Sequence, residues 1–162
     1  MPCVAIQAPV NAVAGAADEY EWTYHAFWTI ENVYEQYKAL WTAAGYGPGQ
    51  GHKVGVAFAN DADGTAWYEV FTQKVAEDGY ELVDPGQYPA GTTDFSNVIS
   101  QFKSAEIDVL AGTNTPPDFS NLWSQALQSG LEVGCVTMGK CCLLLGDMEA
   151  IGEDIMEGVM TE

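Results

Sequence analysis

The chain has 162 residues, room for one domain with a sizeable core, and its 48% hydrophobic content excludes a disordered polyelectrolyte. Twenty-three acidic residues face five lysines and no arginine, for a net charge of −18. That balance argues against any nucleic acid partner, because neutralising phosphates needs Lys and Arg, and it removes the guanidinium forks that commonly hold phosphates and carboxylates. The acidity reads as a well-solvated surface rather than an acidic binding patch. No run is long and apolar enough to span a bilayer, and no basic region followed by an apolar stretch opens the chain, so no signal peptide is expected in it.

In chain order, Cys3-Val4-Ala5-Ile6 is a strand-like run and Asn11 to Ala17 a small-residue loop. An aromatic-rich stretch from Glu19 to Phe27 leads into helical spacing at Ile30, Val33, Tyr34, Tyr37, Leu40, Trp41 and Ala44. Four glycines and a proline between Gly45 and Gly51 stop that helix. From there strands and helices alternate. Val54 to Ala59 predicts a strand buried on both faces, and Asn60-Asp-Ala-Asp-Gly64 a turn into a helix with Trp67, Val70, Phe71 and Val75 inward. Tyr80 to Val83 predicts a second strand, and a helix opened by Asp94 carries Phe95, Val98, Ile99 and Phe102 inward. Ile107, Val109 and Leu110 form a third strand, from which Gly112 is expected to turn out. Pro116 and Pro117 suit a helix entry, Asp118 is expected to cap it, and Phe119, Leu122, Trp123, Ala126 and Leu127 share one face. Val133 to Thr137 is a fourth strand, before a Met- and Glu-rich segment of helical character. Alternation of this kind implies right-handed βαβ units: an α/β fold in three layers, a mostly parallel sheet with helices on both faces.

An internal echo runs through the second half. Asp94-Phe-Ser-Asn-Val-Ile-Ser-Gln101 and Asp118-Phe-Ser-Asn-Leu-Trp-Ser-Gln125 match at six of their positions in register. Two helix starts, each with an acidic cap and an inward Phe, account for it without a repeat architecture.

Residues that carry chemistry are sparse. His25 and His52 are the only histidines, and GxSxG, GxGxxG and Walker A motifs are all missing. Cys3, Cys135, Cys141 and Cys142 lack disulfide-framework and CxxC spacing. Neighbouring Cys141 and Cys142 are expected not to bridge easily, so buried thiols are the reading. Asn60-Asp61-Ala62-Asp63 offers oxygen ligands without the full calcium loop, and turn formation explains it. No metal and no cofactor is expected. What remains is a polar row at the strand ends: Asp61 and Asp63; Tyr88, Thr92 and Asp94; Thr113, Asn114 and Asp118; Thr137 to Lys140. Ligands of open parallel sheets gather at such ends, and this row could hold a small polar molecule by hydrogen bonds.

Trp22-Thr-Tyr-His-Ala-Phe-Trp28, Val54-Gly-Val-Ala-Phe-Ala-Asn-Asp-Ala-Asp-Gly64, Tyr88-Pro-Ala-Gly-Thr-Thr-Asp-Phe95 and Asp108-Val-Leu-Ala-Gly112, with Pro117-Asp118 and Gln125-Ala126, stand in a familiar order. Through them the chain resembles substrate-binding proteins of ABC transporters in the branched-chain amino acid class, with the type I periplasmic binding fold. That family is similar in having two α/β lobes joined by crossover strands, with ligand held in the cleft between them. The resemblance implies that residues 1–27 form the end of a first lobe and a crossover, and residues 28–162 a second lobe. The chain would then be a partial protein carrying half of the cleft. It implies crossover contacts at Phe27 and Trp28, a loop contact at Ala62 and Asp63, and Asp118 facing a ligand ammonium with Thr113 and Asn114 beside it. The family's arginine after the crossover is missing, and Asp63 stands where a tyrosine is usual, so the ligand is left as an amino acid, an amide or an aromatic acid.

The expected function is therefore solute binding without catalysis, weak in this chain alone. The expected partners are a small-molecule ligand and, for the full-length protein, the membrane permease of an ABC transporter, in a periplasmic or extracellular location. Two other readings stand beside it. One is a flavodoxin-like metal-dependent enzyme using the Asp61/Asp63 loop. The other is a lobe without ligand that forms a homo-oligomer through its exposed cleft surface.

Overall fold

The computed structural model describes residues 3–5 and 22–161. Near the start, β1 (Cys3–Ala5) and β2 (Thr23–His25) pair in parallel, Val4 opposite Tyr24. The expected loop from Asn11 to Ala17 lies outside the described residues. Helix α1 (Ile30–Ala43) begins at a reciprocal cap: Thr29 Oγ1 accepts from Asn32 N and Asn32 Oδ1 accepts from Thr29 N, both at 3.3 Å. The alternating part follows as β3 (Lys53–Phe58), α2 (Ala62–Glu77), β4 (Glu81–Val83), α3 (Ser96–Ala105), β5 (Val109–Thr113), α4 (Pro116–Gln128) and β6 (Cys135–Gly139). The chain closes with α5 (Leu145–Ile151), α6 (Glu153–Met156) and β7 (Val159–Met160).

Strands β3 to β7 make one sheet, ordered β4-β3-β5-β6-β7 and parallel at every pairing. Strand side chains alternate between two cores. Val54, Val56 and Phe58 of β3 and Val109 of β5 pack with Tyr34, Tyr37 and Trp41 of α1 and with Trp67 and Phe71 of α2. Leu110, Val136 and Met138 pack on the other face with Phe102 of α3, Phe119 and Leu122 of α4, and Ile151 and Met156. Each fully buried large apolar side chain contributes about 1.5–3 kcal/mol, so both helical layers are held to the sheet. A hydrogen bond of 2.9 Å from Trp41 Nε1 to Thr137 Oγ1 ties α1 to β6 through the buried core.

The three-layer α/β fold with a parallel sheet is the expected one, but several local expectations change. Gly112 does not turn the chain out of the strand. It lies inside β5, where a Cβ would run into the Ala57 carbonyl of β3, so the residue is selected by close backbone approach. Asp118 is not the cap of α4: the helix starts at Pro116 after Thr115, and the carboxylate sits within the first turn. Asp94 accepts from Ser96 N at 2.9 Å but stands two residues before α3, whose N-cap position is Phe95. Leu127, placed inward by spacing, is 44% exposed. The terminal segment adds a fifth strand, β7, to the four read from the sequence.

Candidate functional site

From β3 the chain goes to β4 on one side and then, through α3, to β5 on the other. The loops leaving β3 and β5 therefore part company at their carboxyl ends, which leaves a crevice where parallel sheets take ligands.

The first wall is the β3–α2 turn. Asp61 caps α2, its Oδ1 accepting from Gly64 N at 2.7 Å. Gly64 presses on the Ala59 carbonyl, a contact that leaves no space for a Cβ. Ala62 is exposed, and Asp63 is half-buried and ion-paired with Lys140.

The β4–α3 loop forms the second wall and continues the sheet for one step. Tyr88 N donates to Phe58 O at 3.1 Å, and Asn60 N donates to Tyr88 O at 2.8 Å. The Tyr88 ring packs edge-on against Phe95, with centroids 4.9 Å apart. Burial pushes the Tyr88 phenol well above its ordinary range, partly opposed by its bond with Asn114 and reinforced by the Asp118 and Asp61 charges, so it stays protonated near neutrality.

The end of β5 is the floor. Thr113 and Asn114 are 2% and 1% exposed. Asn114 N donates to Gly139 O at 3.2 Å and its Nδ2 donates to the Tyr88 hydroxyl. Two atoms there are buried with no hydrogen-bond partner, Thr113 Oγ1 and Asn114 Oδ1. Buried polar atoms are nearly always satisfied, so an adjacent orphan pair marks a place that an incoming group can complete.

Asp118 is buried beside this floor and accepts from Gly91 N at 3.1 and 3.3 Å. The next turns of α4 act on the same loop. Asn121 Nδ2 donates to Thr92 O, Gln125 Nε2 donates to Thr93 O, and Gln125 Oε1 accepts from Phe95 N. Asp118, Asn121 and Gln125 are spaced i, i+3, i+7 on one helix face and clamp the second wall from behind. On the other flank, Gln87 Nε2 donates to Ala59 O and Thr65 Oγ1.

Of the sequence-predicted positions, Ala62 and Asp63 thus lie at the β3–α2 turn, and Thr113, Asn114 and Asp118 at the β5–α4 connection beside it. Phe27 and Trp28 are not joined to them by any hydrogen bond or ring contact. Their rings pack on each other at a tilt before α1, with centroids 4.4 Å apart and Trp28 44% exposed. Thr137 faces Trp41 and leaves the rim. Gln87, Asn121 and Gln125 were missed. The signal for two of them was present in the echo, where Asn121 and Gln125 repeat Asn97 and Gln101. Among the described residues no group of three or more His, Cys, Asp or Glu side chains could hold a metal ion. Asp61 is engaged as a cap and Asp63 as an ion pair, so nothing in this loop favours the metal-dependent enzyme reading.

The arrangement offers an unengaged hydroxyl, that of Thr113, and an unengaged amide oxygen, that of Asn114, to a small polar molecule. The profile of the periplasmic binding protein family matches residues 5–161. No curated protein matches. Among solved structures, an extracellular ligand-binding receptor from Rhodopseudomonas palustris is similar at 16% identity, with a TM-score of 0.76 over 98% of this chain and 42% of its own length. A leucine-binding protein from Thermotoga maritima is similar at 20% identity, TM-score 0.72, over 86% and 38%. A branched-chain amino acid ABC transporter protein from Thermus thermophilus, solved with bound valine, is similar at 20% identity, TM-score 0.69, over 87% and 35%. The chain spans less than half the length of each.

Proposed function

The chain belongs to the periplasmic binding protein family, and from that premise we propose that it supplies one lobe of the solute-binding component of an ABC uptake transporter. In this reading residues 28–162 are the second lobe and residues 1–27 the end of the first lobe and the crossover. The solute is a small polar molecule: an amino acid, an amide or an aromatic acid. It lies in a cleft whose half is the rim of Ala62, Asp63, Thr113, Asn114 and Asp118, with Phe27 and Trp28 contributing apolar surface from the crossover. The full-length protein works outside the cytoplasm and delivers its solute to a membrane permease. No described helix is long and apolar enough to cross a membrane.

The observation that carries this reading is the orphan pair, Thr113 Oγ1 and Asn114 Oδ1, at the strand-order switch. The acceptor Asn114 Oδ1 suits an ammonium or amide N–H, and the Thr113 hydroxyl can give or take a hydrogen bond. Asp118 adds negative charge close by, although its carboxylate already holds Gly91 N.

A half-cleft encloses too little of a solute for tight binding, since high affinity needs most of the ligand surface buried. Titration of the chain with amino acids, amides and aromatic acids, followed by amide chemical shifts, tests this. The expected result is dissociation constants of about 1 mM or weaker, with shifts centred on Thr113, Asn114 and Gly91. Sub-micromolar binding would overturn the half-cleft reading, and shifts centred away from the rim would overturn the site.

A further inference from the structure

Cys141 and Cys142 occupy the turn between β6 and α5, directly after Lys140, which holds the left-handed conformation at φ 65°. Cys141 N donates back to Gly139 O at 2.8 Å, and this tight fold brings the two side chains to one side. Their Sγ atoms lie 2.6 Å apart. Both are thiols. Cys135, also a thiol, belongs to the core on the opposite face of the sheet. Cys141 is completely buried, while Cys142 is 5% exposed and borders Leu143, Leu144 and Leu145, which are 49%, 66% and 70% exposed.

We propose that Cys141 and Cys142 are a thiol–disulfide modification site that closes reversibly into a vicinal disulfide. Sequence neighbours seldom bridge, because a trans peptide sets their Cα atoms about 3.8 Å apart, below the usual disulfide span of about 4.4–6.8 Å. Here the turn has already brought the sulfurs together, so closure needs little further movement. The short span leaves the bridge strained, and strained bridges are the readily reduced ones. The pair therefore acts as a switch rather than a staple.

The oxidant is an external disulfide of the glutathione class. The Cys142 thiolate, at the surface end of the pair, attacks one sulfur of that disulfide and releases one thiol. The Cys141 thiolate then attacks Cys142 Sγ in the mixed disulfide and releases the second. Two cysteine thiols are oxidised to one bridge, one external disulfide is reduced to two thiols, and the protons lost by the cysteines are taken up by the released thiolates. The bridge closes beside the rim: Gly139 O holds Asn114 N, and Lys140 pairs with Asp63. The modification does not depend on solute binding and can be tested apart from it.

The test is to treat the folded, reduced chain with oxidised glutathione, then to measure intact mass and map peptides without reduction. The expected result is a monomer lighter by two hydrogens, with the loss located in one peptide containing Cys141 and Cys142 and reversed by dithiothreitol. Cys141→Ser, which lacks the resolving thiol, should instead retain glutathione on Cys142. Should that variant fail to fold, the wild-type map still decides the matter. An unchanged mass, a stable glutathione adduct on the wild type, a bridge involving Cys3 or Cys135, or a disulfide-linked dimer would each overturn the proposal.

Discussion

Thr113 and Asp118 stand five residues apart and should respond oppositely to substitution. The Thr113 hydroxyl is buried without a partner, and an unsatisfied buried polar group costs about 1–3 kcal/mol. Thr113→Val keeps the branched shape and removes the hydroxyl, so it should leave the fold as stable or more stable, by up to about 1 kcal/mol, while weakening solute binding. Urea unfolding checks the first half, and a clear loss of stability would show the hydroxyl to be satisfied. Asp118 is the opposite case, because its carboxylate holds Gly91 N. Asp118→Ala should cost about 1–3 kcal/mol and expose Gly91 to exchange. Asp118→Asn, which keeps an acceptor oxygen, should recover most of the loss. Unchanged amide protection at Gly91 in the alanine variant would remove the carboxylate from this role. Sequence placed both residues at a strand end. It could not tell a satisfied group from an orphaned one, because that depends on partners distant in the chain.

At the scale of elements, α4 is both a core helix and the clamp on the β4–α3 loop. Its apolar face was legible from spacing, through Phe119, Leu122, Trp123 and Ala126, all of them buried. Its polar face was legible only as an echo of α3, since nothing local says that Asn121 and Gln125 reach back to Thr92, Thr93 and Phe95. Gln125→Ala should cost about 1 kcal/mol and lower amide protection at Phe95 and the first turn of α3 more than in α4 itself. Uniform loss along α4 would assign Gln125 to helix stability instead. Gly112 misled for a related reason: a strand glycine and a turn glycine look alike until the neighbouring carbonyl of Ala57 is placed. Strand order and the late strand β7 were likewise out of reach of periodicity, which identifies elements and not their neighbours.

The α1–α2 joint gives a pH dependence at the same scale. Asp78 Oδ2 accepts from Tyr34 Oη at 2.7 Å and from Lys38 Nζ at 2.9 Å. Burial works against its charge, yet these two bonds and the Lys38 and Lys74 charges outweigh burial and hold the carboxyl below the ordinary aspartate range. A carboxyl depressed in the folded state adds stability that is complete above its unfolded value, about 3.9, and disappears as pH falls through the folded value. Acid unfolding of Asp78→Asn should therefore lose less stability between neutral pH and the acid transition than the wild type. Parallel acid profiles for the two proteins would discount the joint.

For the whole molecule the dominant electrostatic fact is the charge of −18. Ion pairs do little to offset it. Lys38, Lys74 and Lys140 pair with carboxylates, whereas the ammonium groups of Lys53 and Lys103 are spent on the carbonyls of Ala105 and Ser129. Most of the 23 acidic residues thus repel one another across a folded surface, and unfolding lets them spread apart. Salt screens this repulsion, with a Debye length falling from about 30 Å at 0.01 M to about 8 Å at 0.15 M. Screening also weakens attractive surface pairs, but these are few and exposed pairs are worth about 0–1 kcal/mol each. The repulsion should win. Raising sodium chloride from 0.01 to about 0.15 M should raise the melting temperature, by about 2–4 °C for each kcal/mol of relief, with most of the gain at the low-salt end of the series because the Debye length shortens fastest there. Scanning calorimetry across that series checks it. A flat or falling melting temperature would mean that the folded surface already spaces its carboxylates widely enough for water alone to screen them.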